Sequence, residues 1–173
     1  RAGVRASDLV TALRVLIVDD EAFARQRLRR LLGELPDIDV VGEASNGREA
    51  ITLITTHNPD VVLLDVQMPR VDGFAVLHAL DGPAPLVIFV TAFDEHAVTA
   101  FNVHAFDYIL KPVDPSRFAE AIERARTQVA QTSAAERHAK LVAFLEGTPG
   151  AAPREALGDT LEPSAGGSRG PID

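Results

Sequence analysis

Short apolar runs alternate with helical patterns along most of this chain, and that alternation limits the folds open to it. "RVLIV" (14–18) reads as a buried strand stopped by "DDE". Residues 21–35 follow with Phe23, Leu28, Leu31, Leu32 and Leu35 near helical spacing and arginines on the other face. "IDVVGEA" (38–44) is a second strand, Asn46-Gly47 turns the chain, and 48–58 is a helix ended near Pro59. The pattern repeats with strand 60–65 and helix 72–80, strand 86–91 and helix 94–104, then strand 106–110 and helix 114–130. In the last helix Asp114 fits the N-cap and Pro115 the first helical position. Five strands alternating with helices, with no clean polar-apolar alternation inside the strands, predict an α/β fold: a doubly wound parallel sheet covered on both faces. Such sheets carry their sites beyond the carboxyl ends of the strands, where strand order switches direction.

This pattern predicts an N-terminal extension over 1–12 and a domain over 13–130. A linker helix over 131–146 follows, with Ser133 and Glu136 at capping-box spacing and Leu141, Val142 and Leu145 as an apolar stripe. From 147 to 173 the chain is rich in Gly, Pro and Ala, which predicts a flexible linker or disordered tail. The lack of an initiating Met fits a segment of a longer protein. The net charge of −8 argues against nucleic-acid binding through this segment alone. With no Cys, disulfides, zinc-thiolate centres and thiol catalysis are excluded, which fits a cytoplasmic protein. No apolar run approaches the roughly 20 residues that cross a bilayer. The five histidines show no metal-ligand grouping.

The strand ends carry the chemistry. Asp19, Asp20 and Glu21 follow the first strand, Asp65 the third, Thr91 the fourth and Lys111 the fifth. Three close carboxylates repel one another unless a cation offsets them, and hard oxygen donors favour Mg²⁺. Mg²⁺ needs only one or two carboxylates, so another can act as a nucleophile and become an aspartyl phosphate. A hydroxyl and an ammonium, here Thr91 and Lys111, suit the charge of a transferring phosphoryl group.

"VLIVDDEAFARQRL", "VVLLDVQMPRVDGF", "FVTAFDEHAVTAF" and "AFDYILKPVDPSRF" together closely resemble the receiver domain of two-component response regulators, over residues 14 to about 130. The resemblance implies a flavodoxin-like strand order, 2-1-3-4-5. It implies that Asp65 is the phosphoacceptor and that Asp19, Asp20 and Asp65 hold Mg²⁺ together with the backbone carbonyl of Gln67. Thr91 and Lys111 would contact the phosphoryl group, Thr91 and Tyr108 would form the switch, and Lys111–Pro112 would be a cis peptide. The implied partner is a sensor histidine kinase, and the implied role is that of a phosphoacceptor rather than an enzyme. "IVDDEAFARQRL", "DVQMP" and "TAFDEHAVTAFNVHAFDYILKP" further resemble receivers that precede a LytTR (LytR/AlgR-type) DNA-binding domain. DNA would then be reached only through an output domain, which nothing after 147 resembles. The 94–130 face, with Val98 and Phe101, is the expected homodimer contact on phosphorylation. Arg70 departs from the pattern, standing where a small residue is common.

Each of these residues also has a purely structural reading. Asp19-Asp20-Glu21 suits a helix cap, Asp65 a turn before Pro69, Thr91 a cap near Asp94, Lys111 a snorkelling edge residue, and Tyr108 simple packing. Two functional alternatives stand beside the phosphoacceptor. A haloacid-dehalogenase-like phosphatase also uses an Asp and Mg²⁺, but requires a second acid where Gln67 stands. A stand-alone receiver or pseudo-receiver would act by protein–protein interaction, although the intact five-residue set disfavours a pseudo-receiver.

Overall fold

The computed structural model describes residues 11–80, 84–92, 94 and 105–145. Five parallel strands, β1 (Leu13–Val18), β2 (Ile38–Ala44), β3 (Val61–Leu64), β4 (Leu86–Thr91) and β5 (Asp107–Leu110), form one sheet in the order β2-β1-β3-β4-β5. This is the expected flavodoxin-like order, and the direction of strand addition reverses between β1 and β3. The helices are α1 (Ala22–Gly33), α2 (Gly47–His57), α3 (Gly73–His78) and α4 (Pro115–Leu145). The helix expected over 94–104, with Val98 and Phe101, falls outside the described residues apart from Asp94. Among the described residues no helix is long and apolar enough to cross a membrane.

Successive strand residues point to opposite faces, so each strand feeds two cores. Val15 and Ile17 join Leu28, Leu31, Leu32, Phe118 and Ile122 on the α1/α4 face. Leu16 and Val18 join Ala50, Ile54, Val76 and Phe89 on the α2/α3 face. All four β3 residues are buried, which explains why "VVLL" shows no polar alternation.

The helix ends follow sequence chemistry. Asn46 caps α2 by accepting from the Glu49 N–H at 2.9 Å, and Asp72 caps α3 by accepting from the Ala75 N–H at 2.8 Å. The expected Asp114 cap forms, with Oδ2 accepting from the Arg117 N–H at 3.0 Å. Asn58 ends α2 in a left-handed conformation, φ 45°, just before Pro59.

Three expectations change. Phe23 is 85% exposed instead of joining the α1 core stripe. At about 100° per residue it lies about 140° around the helix from Leu28 and about 180° from Leu32, so near-helical spacing concealed an opposite face. The helices expected over 114–130 and 131–146 are one helix, Pro115–Leu145. No Gly or Pro interrupts the junction, and Ser133 is helical rather than a cap. Thr132 Oγ1 instead donates to the Gln128 carbonyl at 3.0 Å, the back-bond that lets a hydroxyl residue stay inside a helix. The boundary between two compact units falls within this helix, after Ala134. In the second unit Leu141, read as part of an apolar stripe, is 55% exposed.

Glycines fix the turn chemistry next to the sheet edge. A Cβ on Gly73 would lie 2.7 Å from the Asp65 carbonyl oxygen, and one on Gly47 would lie 2.6 Å from Val71 Cγ1 and 2.7 Å from its carbonyl oxygen. Gly33, at the end of α1, has nothing within 4 Å of that position. Urea melts should therefore separate them: Gly73→Ala and Gly47→Ala lose about 1–3 kcal/mol by overpacking, while Gly33→Ala gains about 0.5–1 kcal/mol from helix propensity.

Candidate functional site

The carboxyl edge of the sheet gathers residues that are far apart in sequence. Backbone bonds continue the ladder past the strand ends. The Asp19 N–H donates to the Ala44 carbonyl at 3.1 Å, the Asp65 N–H to the Val18 carbonyl at 2.9 Å, and the Lys111 N–H to the Thr91 carbonyl at 2.7 Å. Asp19, Asp65, Thr91 and Lys111 are thus placed by backbone pairing at neighbouring strand ends. The loop after Asp65 turns back at once, the Gly73 N–H donating to the Val66 carbonyl at 3.1 Å.

Asp19 and Thr91 are each fully buried and Asp65 is 6% exposed, whereas Asp20 is exposed. One carboxylate oxygen from each of Asp19, Asp20 and Asp65 lies within 4.8 Å of the others. Lys111 Nζ donates to Asp19 Oδ2 at 2.7 Å and to Asp65 Oδ2 at 3.5 Å. Three carboxylates against one ammonium leave a formal charge of −3 + 1 = −2 at this edge. Hard oxygen donors with that charge deficit suit a small divalent cation such as Mg²⁺.

Burial raises the Asp65 carboxyl above the ordinary value of 3.8; the Lys111 charge opposes this, Asp19 reinforces it, and the Gln67 N–H opposes it. Burial acts to lower the Lys111 ammonium, but its hydrogen bond to Asp19 and the charges of Asp19, Asp65 and Glu21 prevail and raise it.

Gln67 touches the site through its backbone, its N–H donating to Asp65 Oδ1 at 3.2 Å. The capping reading of the first acidic group is not realised: no side chain caps α1, and Asp19 Oδ1 accepts instead from the N–H of Glu21, ahead of the helix, at 2.9 Å. Thr91 Oγ1 is buried without a hydrogen-bond partner among the described residues, which is rare for a hydroxyl. Tyr108 pairs with Phe89 across β4–β5 and is half-buried against the α2/α3 core, separated from Lys111 by the last two strand residues, Ile109 and Leu110. The Lys111–Pro112 peptide is cis.

Sequence reasoning missed Arg25. Its Nη1 donates to the Asp19 carbonyl at 2.7 Å, tying α1 to the acidic strand end. In a helix with arginines at 25, 27, 29 and 30, no sequence signal separates this one from its solvent-facing neighbours. It also missed Gly73, whose closeness to the Asp65 carbonyl follows only from the folded loop.

A carboxyl with a raised folded value favours folding in its protonated form. That contribution is complete below about 3.8 and is lost as pH rises through the raised value. Ionised Asp65 therefore opposes folding at neutral pH. Without divalent ions, Asp65→Asn should melt several degrees above the wild type at pH 7, with the gap closing on acidification; equal melting at pH 7 would refute the burial penalty. Lys111→Met should lower stability by about 3 kcal/mol in urea melts, because it strands the buried Asp19 charge.

Comparison with known proteins agrees with this geometry. Residues 15–123 match the response regulator receiver domain family. The transcriptional regulatory protein BtsR of Escherichia coli is 48% identical over 117 residues, covering 67% of this chain and 49% of BtsR. A response regulatory protein of Vibrio vulnificus is 46% identical over 127 residues, covering 73% of this chain and 52% of its own. The chain thus spans about half the length of the curated relatives it matches. Among solved structures, the response regulatory domain of mrkE from Klebsiella pneumoniae superposes with a TM-score of 0.64 at 33% identity, covering 68% of this chain and 98% of that one. The receiver domain of AraT from Geobacillus stearothermophilus gives 0.65 at 33% identity, covering 71% and 99%. With the sheet order, the acidic strand ends and the paired lysine all in place, this chain belongs to the response regulator receiver domain family.

Proposed function

We propose that this receiver is a phosphorylation-driven switch in which Asp65 accepts a phosphoryl group from a partner histidine kinase. The observation that carries the proposal is the buried Thr91 hydroxyl, without a hydrogen-bond partner among the described residues, at the strand end that also binds the Lys111 backbone, on the edge holding the Asp65 carboxylate. A hydroxyl donor and an ammonium at one edge with a buried nucleophile suit a transferring phosphoryl group better than any packing role.

In the proposed reaction an Asp65 oxygen forms a bond to phosphorus as the phosphorus–nitrogen bond of a kinase phosphohistidine breaks. The electron pair of that bond leaves with the imidazole nitrogen. The Gln67 N–H orients the Asp65 carboxylate, and Lys111, already held by Asp19, offers its ammonium to the new phosphate. Asp19, Asp20, Asp65 and the Gln67 carbonyl are the residues that would hold Mg²⁺, which when bound supplies the positive charge this edge lacks. The protein takes part in its own phosphorylation without being an enzyme acting on other substrates.

The phosphate adds roughly −1.5 to −2 charge. Thr91 would turn its free hydroxyl toward a phosphate oxygen, and Tyr108 would move into the space this vacates. The 94–130 face would respond, favouring a homodimer. The relatives called transcriptional regulatory proteins are about twice as long as the matched region. Together with the resemblance to LytTR-linked receivers, this supports an attached DNA-binding output domain of that type and action in the cytoplasm.

Intact mass after incubation with acetyl phosphate and Mg²⁺ tests the central step. The wild type should gain one phosphoryl mass and Asp65→Ala none. No gain in the wild type with small donors or a cognate kinase would instead make this a pseudo-receiver.

A further inference from the structure

Of the three carboxylates at the sheet edge, Asp20 is the one whose side chain nothing holds. It is exposed, and its carboxylate has no hydrogen bond or ion pair among the described residues. Asp19 and Asp65 are buried, and both meet Lys111. Yet an oxygen of Asp20 lies within 4.8 Å of one from each of the other two. Its place beside them is therefore set through the backbone.

The two peptides flanking Asp20 are each pinned by one bond. The Glu21 N–H, in the peptide after Asp20, donates to Asp19 Oδ1 at 2.9 Å. The Asp19 carbonyl, in the peptide before Asp20, accepts from Arg25 Nη1 at 2.7 Å. A trans peptide is planar, so a fixed carbonyl direction also fixes where the next Cα lies. Arg25 is half-buried and stands in the first turn of α1, a helix packed on the sheet through Leu28, Leu31 and Leu32. Two other arginines of α1 are spent elsewhere: Arg27 Nη2 donates to the Val113 carbonyl at 2.9 Å, and Arg29 Nη2 to Glu43 at 2.9 Å. Arg25 thus carries the rigidity of α1 to the peptide that joins the two acids.

We infer that Arg25 is a positioning residue for divalent-cation binding, holding the Asp19–Asp20 peptide so that Asp20 presents its carboxylate beside Asp19 and Asp65. The inference rests on the reading of this edge as a Mg²⁺ site. Groups that orient the ligands of a metal typically matter about 10- to 100-fold in its affinity. Charge alone predicts the opposite sign. A guanidinium beside these carboxylates repels a divalent cation, so removing a mere neighbouring charge would tighten Mg²⁺ binding. The direction of the change therefore separates the two roles.

The test follows the amide resonances of the full chain during titration with Mg²⁺ alone. Arg25→Met should weaken Mg²⁺ binding about tenfold, within the range for a ligand-orienting group. Arg25→Lys, which keeps an N–H donor on a side chain of similar reach, should recover most of that loss. Arg29→Met removes a charge from the same helix and should stay within about twofold of the wild type, as expected for an exposed, screened charge. Unchanged or tighter binding in Arg25→Met, or an equal loss in Arg25→Lys, would overturn the inference. A second readout needs no metal. In the metal-free protein the order parameter of the Asp20 amide should fall in Arg25→Met while that of Asp65 holds. An Asp20 amide as ordered as in the wild type would overturn the positioning role. A wild type whose resonances do not respond to Mg²⁺ would instead sink the reading of the edge as a Mg²⁺ site, and the inference with it.

Discussion

The ion pair between Lys111 and Asp19 sits at the centre of this structure. Asp19 is fully buried, and its carboxylate meets Lys111 Nζ at 2.7 Å, while Asp65 lies further off at 3.5 Å. One cation is therefore shared unequally between two buried acids. Asp19 accepts also from the Glu21 N–H, whereas Asp65, which accepts from the Gln67 N–H, is raised chiefly by its burial. That asymmetry gives the two carboxylates different roles without any difference in residue type. Lys111 is held more closely by Asp19, and Asp65 is the acid proposed to react.

Holding that arrangement requires a rigid base. The sheet is buried on both faces, and the backbone bonds at Asp19, Asp65 and Lys111 carry its ladder into the site. On the far edge, Asp107 of β5 receives Arg117, which donates to its Oδ1 at 2.6 Å, and also pairs with Arg124, tying β5 to the first turns of α4. Phe74 and Phe89 pack with ring centroids 5.2 Å apart, joining α3 to β4. These contacts tie the strands that carry Thr91 and Asp65 into a closely packed frame.

Much of the architecture was legible from the chain. The apolar runs placed all five strands to within a residue or two, most clearly the inner β1, β3 and β4, because a strand buried on both faces must be largely apolar. The cap at Asp114 was legible because it is a local hydrogen bond, whereas Asn46, read as part of a turn, proves to cap α2. The errors were local patterns overruled by geometry. Phe23 had roughly the right spacing and the wrong face, and Ser133 resembled a cap in a helix with nothing to stop it.

The residue types at the strand ends, and hence the acidic pair, the acceptor candidate, the hydroxyl and the lysine, were determined by the sequence alone, since each follows directly on an apolar run. Only the tertiary structure decided how they share charge. That Lys111 bonds Asp19 more closely than Asp65, that Thr91 has no described partner, and that Arg25 secures the Asp19 carbonyl depend on strand order and side-chain reach.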